Sequence, residues 1–351
     1  MTAFCRCRAS CAGSTTSDGL KALLCESLGT LDDLRIAEVP EPPIRMCEVL
    51  VRVHACGLNF PDVLMVQGKY QRRPPLPFSP GSEFSGVVES VGDDVDEFAV
   101  GDRVCGTVDC AAMAEKLAAS AEKLRSVPQH VDLDEAAALL ITYSTSLYAL
   151  RDRAALSAGD SLLVLGAGGG VGLAAVELGK SLGARVVAAA SSESKLALAR
   201  AKGADCTVRY PAELNEPAQQ KAFSAQLKEL AGPGGFNVIC DPVGGAYADP
   251  ALRSIAWNGR YLVVGFAAGA IPSIALNLPL LKGCQIVGVI WGSATAHDPD
   301  LEPRIQRELV AMLAQGRIRP HIGARFVLDQ GVEALRMLAE RRALGKIIVH
   351  C

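Results

Sequence analysis

Residues 163–172 read Leu-Val-Leu-Gly-Ala-Gly-Gly-Gly-Val-Gly. Aligned on Ala167, Gly169 and Gly172, this is an A-x-G-x-x-G run. Small residues at that spacing allow a tight turn, close approach of a pyrophosphate to the backbone, and close packing of the following helix on the preceding strand. A helix opening at Gly170 and Val171 would aim its free N–H groups and positive dipole end at the phosphates. Glycine-rich loops are common, so context decides. Here an apolar strand pattern (161–165) precedes the run, an amphipathic helix pattern (171–182) follows, and a second strand pattern arrives at 185–189. That context points to a dinucleotide.

The end of the second strand should choose between nicotinamide cofactors. A site for NAD carries an acid there to hold the ribose 2′-hydroxyl. Residues 188–192 instead read Ala-Ala-Ala-Ser-Ser, with Lys195 close behind. The Ser191 hydroxyl, its neighbour and the Lys195 ammonium can bind a 2′-phosphate, and no acid at the strand end repels one. Glu193 weighs the other way if it turns inward, and Ser191 and Lys195 also suit a helix N-cap and a solvated helix face. The expected cofactor is NADPH.

The elements that must position these residues follow from patterning. The chain has 351 residues, half of them apolar, 5% aromatic, with 34 glycines. This suits an α/β protein of two domains. Short apolar strand patterns at 161–165, 185–189, 206–210, 236–240, 261–265 and 285–290 alternate with helical ones, which predicts a doubly wound parallel sheet. The first third is β-rich, with strand patterns at 49–55 and 86–91. From about Ser293 come a helix (302–314) and strand patterns at 324–328 and 346–349, read as a return to that β-rich region. The expected division is a flexible N-terminal extension over 1–18, a β-rich catalytic domain over 19–143 and 293–351, and an NADPH-binding domain over 144–292.

A net charge of −3 provides no footprint for nucleic acid, and no apolar run is long enough to span a membrane. The 12 cysteines are scattered and read as reduced thiols of a cytoplasmic protein. Cys5, Cys7 and Cys11 lack the paired spacing of a zinc site. Arg6 and Arg8 in a Ser/Thr-rich leader also suit a short mitochondrial presequence. His54, His130 and His321 have no partner pattern and read as surface or packing residues.

Several further blocks carry a family resemblance. They are Cys56-Gly-Leu-Asn-Phe-Pro-Asp62, Gln67-Gly-Lys-Tyr70, the stretch 77–86 (Pro-Phe-Ser-Pro-Gly-Ser-Glu-Phe-Ser-Gly), 101–104, Asp241-Pro-Val-Gly-Gly245, and Gly265-Phe-Ala267. Together with the glycine turn, they make residues 21–349 resemble the zinc-free quinone reductases of the medium-chain dehydrogenase/reductase superfamily. The resemblance implies a GroES-like catalytic domain beside a Rossmann domain. Zinc alcohol dehydrogenases of that superfamily carry a Cys where this chain has Asn59, a G-H-E where it reads Gly81-Ser82-Glu83, and a third Cys near 141–143. With all three ligands replaced, no metal is expected. The resemblance further implies hydride transfer to quinones or α,β-unsaturated carbonyls, small electrophiles that stabilise the added charge themselves. It places Asn59 and Tyr70 at the reacting centre, with the Asn59 amide bonding the acceptor oxygen or the carboxamide. Thr145, Tyr210, Gly265 and Phe266 become neighbours of the cofactor, and the chain becomes a homodimer. Lys346 and Arg342, near the C-terminus, are alternatives for a phosphate contact between which the sequence does not choose, and neither is assigned to the site. Two alternatives stay open: an enoyl-thioester reductase, and a crystallin-like cofactor-binding protein with little catalysis.

Overall fold

The computed structural model describes residues 19–211 and 213–351; the leader with Cys5, Cys7 and Cys11 lies outside them. Six parallel strands form one sheet. In spatial order they are Cys206–Arg209, Arg185–Ala190, Ser161–Val164, Phe236–Asp241, Ile255–Val263 and Gln285–Gly288. In chain order this is 3-2-1-4-5-6, which reverses between the first and fourth strands and opens a crevice at their carboxyl ends. The apolar runs are continuous because both faces are covered. Leu162, Val164, Val186, Ala188, Val238 and Cys240 enter one core cluster, and Leu163, Leu165, Val187, Ala189 and Ile239 enter the opposite one.

The fifth strand begins at Ile255, six residues before the pattern suggested. Asn258-Gly259 looks like a turn, and Asn258 does take φ 58°. The register jumps there from Phe236↔Ile255 to Val238↔Arg260, so the extra residues bulge out and the strand resumes.

The second sheet has Glu48–Gly57 at its centre. It is paired antiparallel with Glu83–Val91, Lys116–Ser120 and, from the far end of the chain, Lys346–His350. Ile322–Val327, Arg103–Thr107 and Leu124–Ser126 complete it. Val49, Val51, Val53, Phe84, Leu117 and Val349 fill its own core. The C-terminal stretch divides its packing. Its strands join this sheet, whereas Ile305, Leu309 and Leu313 of the helix Leu301–Ala314 pack into the core of the parallel sheet. The two halves meet at the glycine turn, where the Gly345 amide donates to the Gly168 carbonyl at 3.0 Å. Among the described residues no helix is long and apolar enough to cross a membrane.

Candidate active site

The glycine turn leaves the strand Ser161–Val164 and enters the helix Gly170–Ser181, with Gly169 at its N-cap. Gly172 has no alternative: a Cβ there would lie 2.2 Å from the Gly166 carbonyl oxygen. At Gly169 a Cβ would meet only that oxygen, at 3.6 Å, so the helix end stays open on one side. Ala167 is fully buried and its amide donates to the Ala189 carbonyl, tying the turn to the second strand. Ser146, on the helix Leu140–Leu147, donates to the Val171 carbonyl at 2.9 Å and fixes the opening turn from outside. On that same helix the Thr145 hydroxyl bonds back to Ile141 at 2.7 Å. Tyr210 lies beneath the turn, with its ring centroid 4.7 Å from that of Tyr247. Burial pushes the Tyr210 hydroxyl well above its usual pKa, with the Gly166 amide opposing.

At the end of the second strand Ser192, not Ser191, caps the helix Glu193–Ala201 through the Lys195 amide. The Ser191 hydroxyl takes no hydrogen bond among the described residues. Glu193 turns away and pairs with Arg200 at 2.6 Å. Lys195 lies across Gly168 and donates to the Arg341 carbonyl at 3.3 Å. Burial, then the Arg341 charge, lowers its pKa. Arg341 is thus the C-terminal cation that reaches this corner. Arg342 pairs with Glu340 on the surface, and the Lys346 side chain runs past Gly170 to Asn59 and Glu83. Sequence spacing had no signal for Arg341, which is brought here by a left-handed residue (φ 58°) after the helix Gly331–Ala339.

Across the crevice Asp241 closes the fourth strand. Its buried carboxylate accepts from the amides of Val243 and Gly244, each at 2.8 Å, and from the Tyr261 hydroxyl. Gly265 anchors to the Asp241 carbonyl at 3.3 Å, and Phe266 lies over Gly244, partly exposed.

The Asn59 centre is the densest polar cluster. Lys346, 4% exposed, donates to Asn59 Oδ1 and to Glu83 Oε2, both at 2.8 Å. Asn59 Nδ2 donates to Glu83 Oε2 at 2.9 Å and to the Gly57 carbonyl at 3.0 Å. The amide orientation is dictated by its partners, since an ammonium only donates and a carboxylate only accepts. Both Asn59 donors are therefore engaged, and what remains is one lone pair on Oδ1. Asp62, in the helix Phe60–Val66, accepts from the Asn59 backbone N–H at 2.7 Å and from the Ser82 hydroxyl at 2.8 Å. Burial lifts the Asp62 pKa to about 6, against those two hydrogen bonds and the Lys346 charge. Tyr70 is half-buried, and its hydroxyl has no hydrogen-bond partner among the described residues. Burial raises its pKa, opposed by Arg72 and aided by Asp62. Arg72 itself pairs with Asp109.

The cluster does not fit a catalytic zinc. An amide, a serine hydroxyl and a carboxylate already bonded to an ammonium offer no thiolate or imidazole. Glu83 and Lys346 were missed as a unit because 263 residues separate them.

Two sheets of this build, with a glycine turn at the switch point and a polar centre facing it, define a two-domain dehydrogenase fold. A family model described as an alcohol dehydrogenase GroES-like domain matches residues 45–129, and one described as a zinc-binding dehydrogenase matches residues 170–307. The quinone oxidoreductase-like protein 2 of Bos taurus is 39% identical over 330 residues, covering 94% of this chain and 92% of that one. A mycobacterial protein solved in complex with NADPH superposes with a TM-score of 0.85 at 28% identity, over 95% of this chain and 100% of the other. For a quinone oxidoreductase of Pseudomonas syringae the TM-score is 0.84 at 29% identity, with 95% and 100% covered. The chain belongs to the quinone oxidoreductase-like group of the medium-chain dehydrogenase/reductase superfamily.

Proposed function

We propose that the protein is an NADPH-dependent oxidoreductase whose hydride transfer to quinones or α,β-unsaturated carbonyls is metal-free. The observation that carries the reading is the Lys346–Asn59–Glu83 tie: Asn59, which stands where the metal-dependent relatives carry a ligating Cys, is committed to an ammonium and a carboxylate instead. NADPH, when bound, supplies the hydride. The residues suited to hold its phosphates are those of the turn, Ala167, Gly169, Gly170, Val171 and Gly172, whose backbone approaches the open helix end. Lys195, Arg341 and the unengaged Ser191 hydroxyl suit the 2′-phosphate, and the outward turn of Glu193 leaves that corner positive. Thr145, Tyr210, Gly265 and Phe266 wall the crevice.

At the reacting centre Asn59 accepts rather than donates, because giving a proton to an acceptor oxygen would break its bond to Glu83 or Gly57. Its free lone pair suits the carboxamide N–H. Tyr70 is the available donor: its hydroxyl is neutral at physiological pH, partly dehydrated and uncommitted. Asp62 holds or releases a proton near neutral pH and reaches outward only through Ser82.

The substrate is a small molecule, and the unit is a homodimer. The described cysteines are unpaired thiols, which suits the cytoplasm. The test is a steady-state screen of quinones, enones and enoyl thioesters with NADPH and NADH, before and after treatment with chelator. Turnover of quinones or enones that survives the chelator supports the reading. Loss of all activity with removal of a metal overturns it, and activity confined to enoyl thioesters assigns the protein to that chemistry.

A further inference from the structure

Apart from the residues described above, three metal-ligating side chains converge from separate segments. His54 belongs to Glu48–Gly57, His350 to the last strand, and Asp134 to the short helix Leu133–Ala137. The Nε2 atoms of His350 and His54 lie 2.8 and 3.3 Å from the same oxygen, Asp134 Oδ1. All three ligand atoms lie within 4.8 Å of one another. Asp134 is buried, while the His54 and His350 side chains are 48% and 36% exposed. The second carboxylate oxygen, Oδ2, is held by Arg325 Nε at 2.7 Å.

We propose that His54, Asp134 and His350 form a binding site for a divalent first-row transition cation of the zinc class. Three points carry this. Cis ligand atoms around such an ion stand about 3.0–3.5 Å apart for bonds of about 2.0–2.2 Å, so the two His–Asp edges are already near that spacing. Arg325 leaves Asp134 a single free oxygen and fixes its orientation, as outer-shell partners of a ligating carboxylate do. The imidazole pair is open to solvent, leaving positions for water, and two imidazoles with one carboxylate select zinc, nickel or copper over calcium and magnesium. Both histidines bind the ion as neutral imidazoles through Nε2, each keeping its one ring proton on Nδ1, and a second proton carried by either ring is released to solvent. The ion would clamp the central strand, the last strand and the helix beside Gly57. It stands apart from the Lys346 cluster and is not needed for turnover.

The experiment is titration of the full chain with Zn²⁺ and with Co²⁺, monitored by competition with a chromophoric chelator and by absorption. Twelve cysteines could also bind zinc, so a His54→Gln/His350→Gln variant and the Co²⁺ spectrum are both needed. The expected result is one ion per chain with Kd of about 10 µM or tighter, weakened at least about tenfold in the variant, with a Co²⁺ spectrum free of thiolate charge-transfer bands. Binding weaker than about 100 µM, equal affinity in the variant, or a thiolate band overturns the proposal. Should the double variant fail to fold, His54→Gln alone, at the more exposed position, applies the same criteria.

Discussion

Lys346 and Glu83 form a nearly anhydrous ion pair, and such a pair costs more to break than it contributes intact. Glu83 also accepts from the Ile141 amide at 3.0 Å, which holds the carboxyl group in its buried place when the lysine is lost. Lys346→Met should therefore destabilise the protein by about 3–5 kcal/mol, and Glu83→Gln in the same chain should recover much of that loss. Urea denaturation of the two single variants and the double variant checks this; additive losses would mean that the two residues are not a unit. Asp62 makes a pH prediction. Its folded pKa, about 6, lies above the ordinary 3.8, so the protonated carboxyl favours folding below pH 3.8 and that contribution is lost as pH rises through 6. Relative to Asp62→Asn, the parent protein should lose at most about 3 kcal/mol of stability between about pH 4 and about pH 7. A gap between the two proteins that does not change with pH would remove the assignment. For Tyr70→Phe the expected outcome is a fall in enone turnover of about a hundredfold, a smaller fall with quinones, and NADPH affinity nearly unchanged. Equal rates in the variant would leave Tyr70 as a wall of the crevice.

At the scale of elements, the turn and the end of the second strand do separate work. Gly172→Ala drives a methyl into the Gly166 carbonyl, and one of two backbone segments must give way. Lys195 lies over Gly168 of the turn but hydrogen-bonds to neither of those two segments. Lys195→Ala and Arg341→Ala should therefore fold normally while erasing most of a preference for NADPH over NADH of about tenfold, or about 1.4 kcal/mol. Fluorescence titration with both cofactors is the measurement. Indistinguishable curves for NADPH and NADH in the unmutated protein would sink the choice of cofactor.

For the whole molecule, the strand Gln285–Gly288 ends the parallel sheet, and large apolar side chains gather around that edge. Leu280, on the helix Asn277–Lys282 that leads into the strand, and Trp257, against Gly283, are each more than 70% exposed, and Ile286 on the strand itself is 41% exposed. A patch of this kind beside an unpaired edge suits twofold pairing with a second copy. Ile286→Lys with Leu280→Glu should yield a folded monomer by sedimentation at micromolar concentration. A monomeric parent protein, or a dimer indifferent to both charges, would refute this interface.

Local order made part of the protein legible in the sequence. The glycine turn and six strands with a period of two on both faces are properties of neighbours in the chain, which backbone sterics and burial translate directly into structure. The bulge at Asn258 was not legible, because Asn-Gly encodes a left-handed residue without saying whether the strand stops there or resumes. The partners of Asn59 were not legible either. The sequence does not choose between Lys346 and Arg342 as a phosphate contact, and only the pairing of the last strand with Glu48–Gly57 takes Lys346 to Glu83. Arg341 and the His54–Asp134–His350 cluster likewise come from segments far apart in the chain. Spacing along the sequence constrains contacts within one turn or one strand pair. Which distant charges share a buried volume is decided by sheet order and register, through the cost of leaving any of them unpaired.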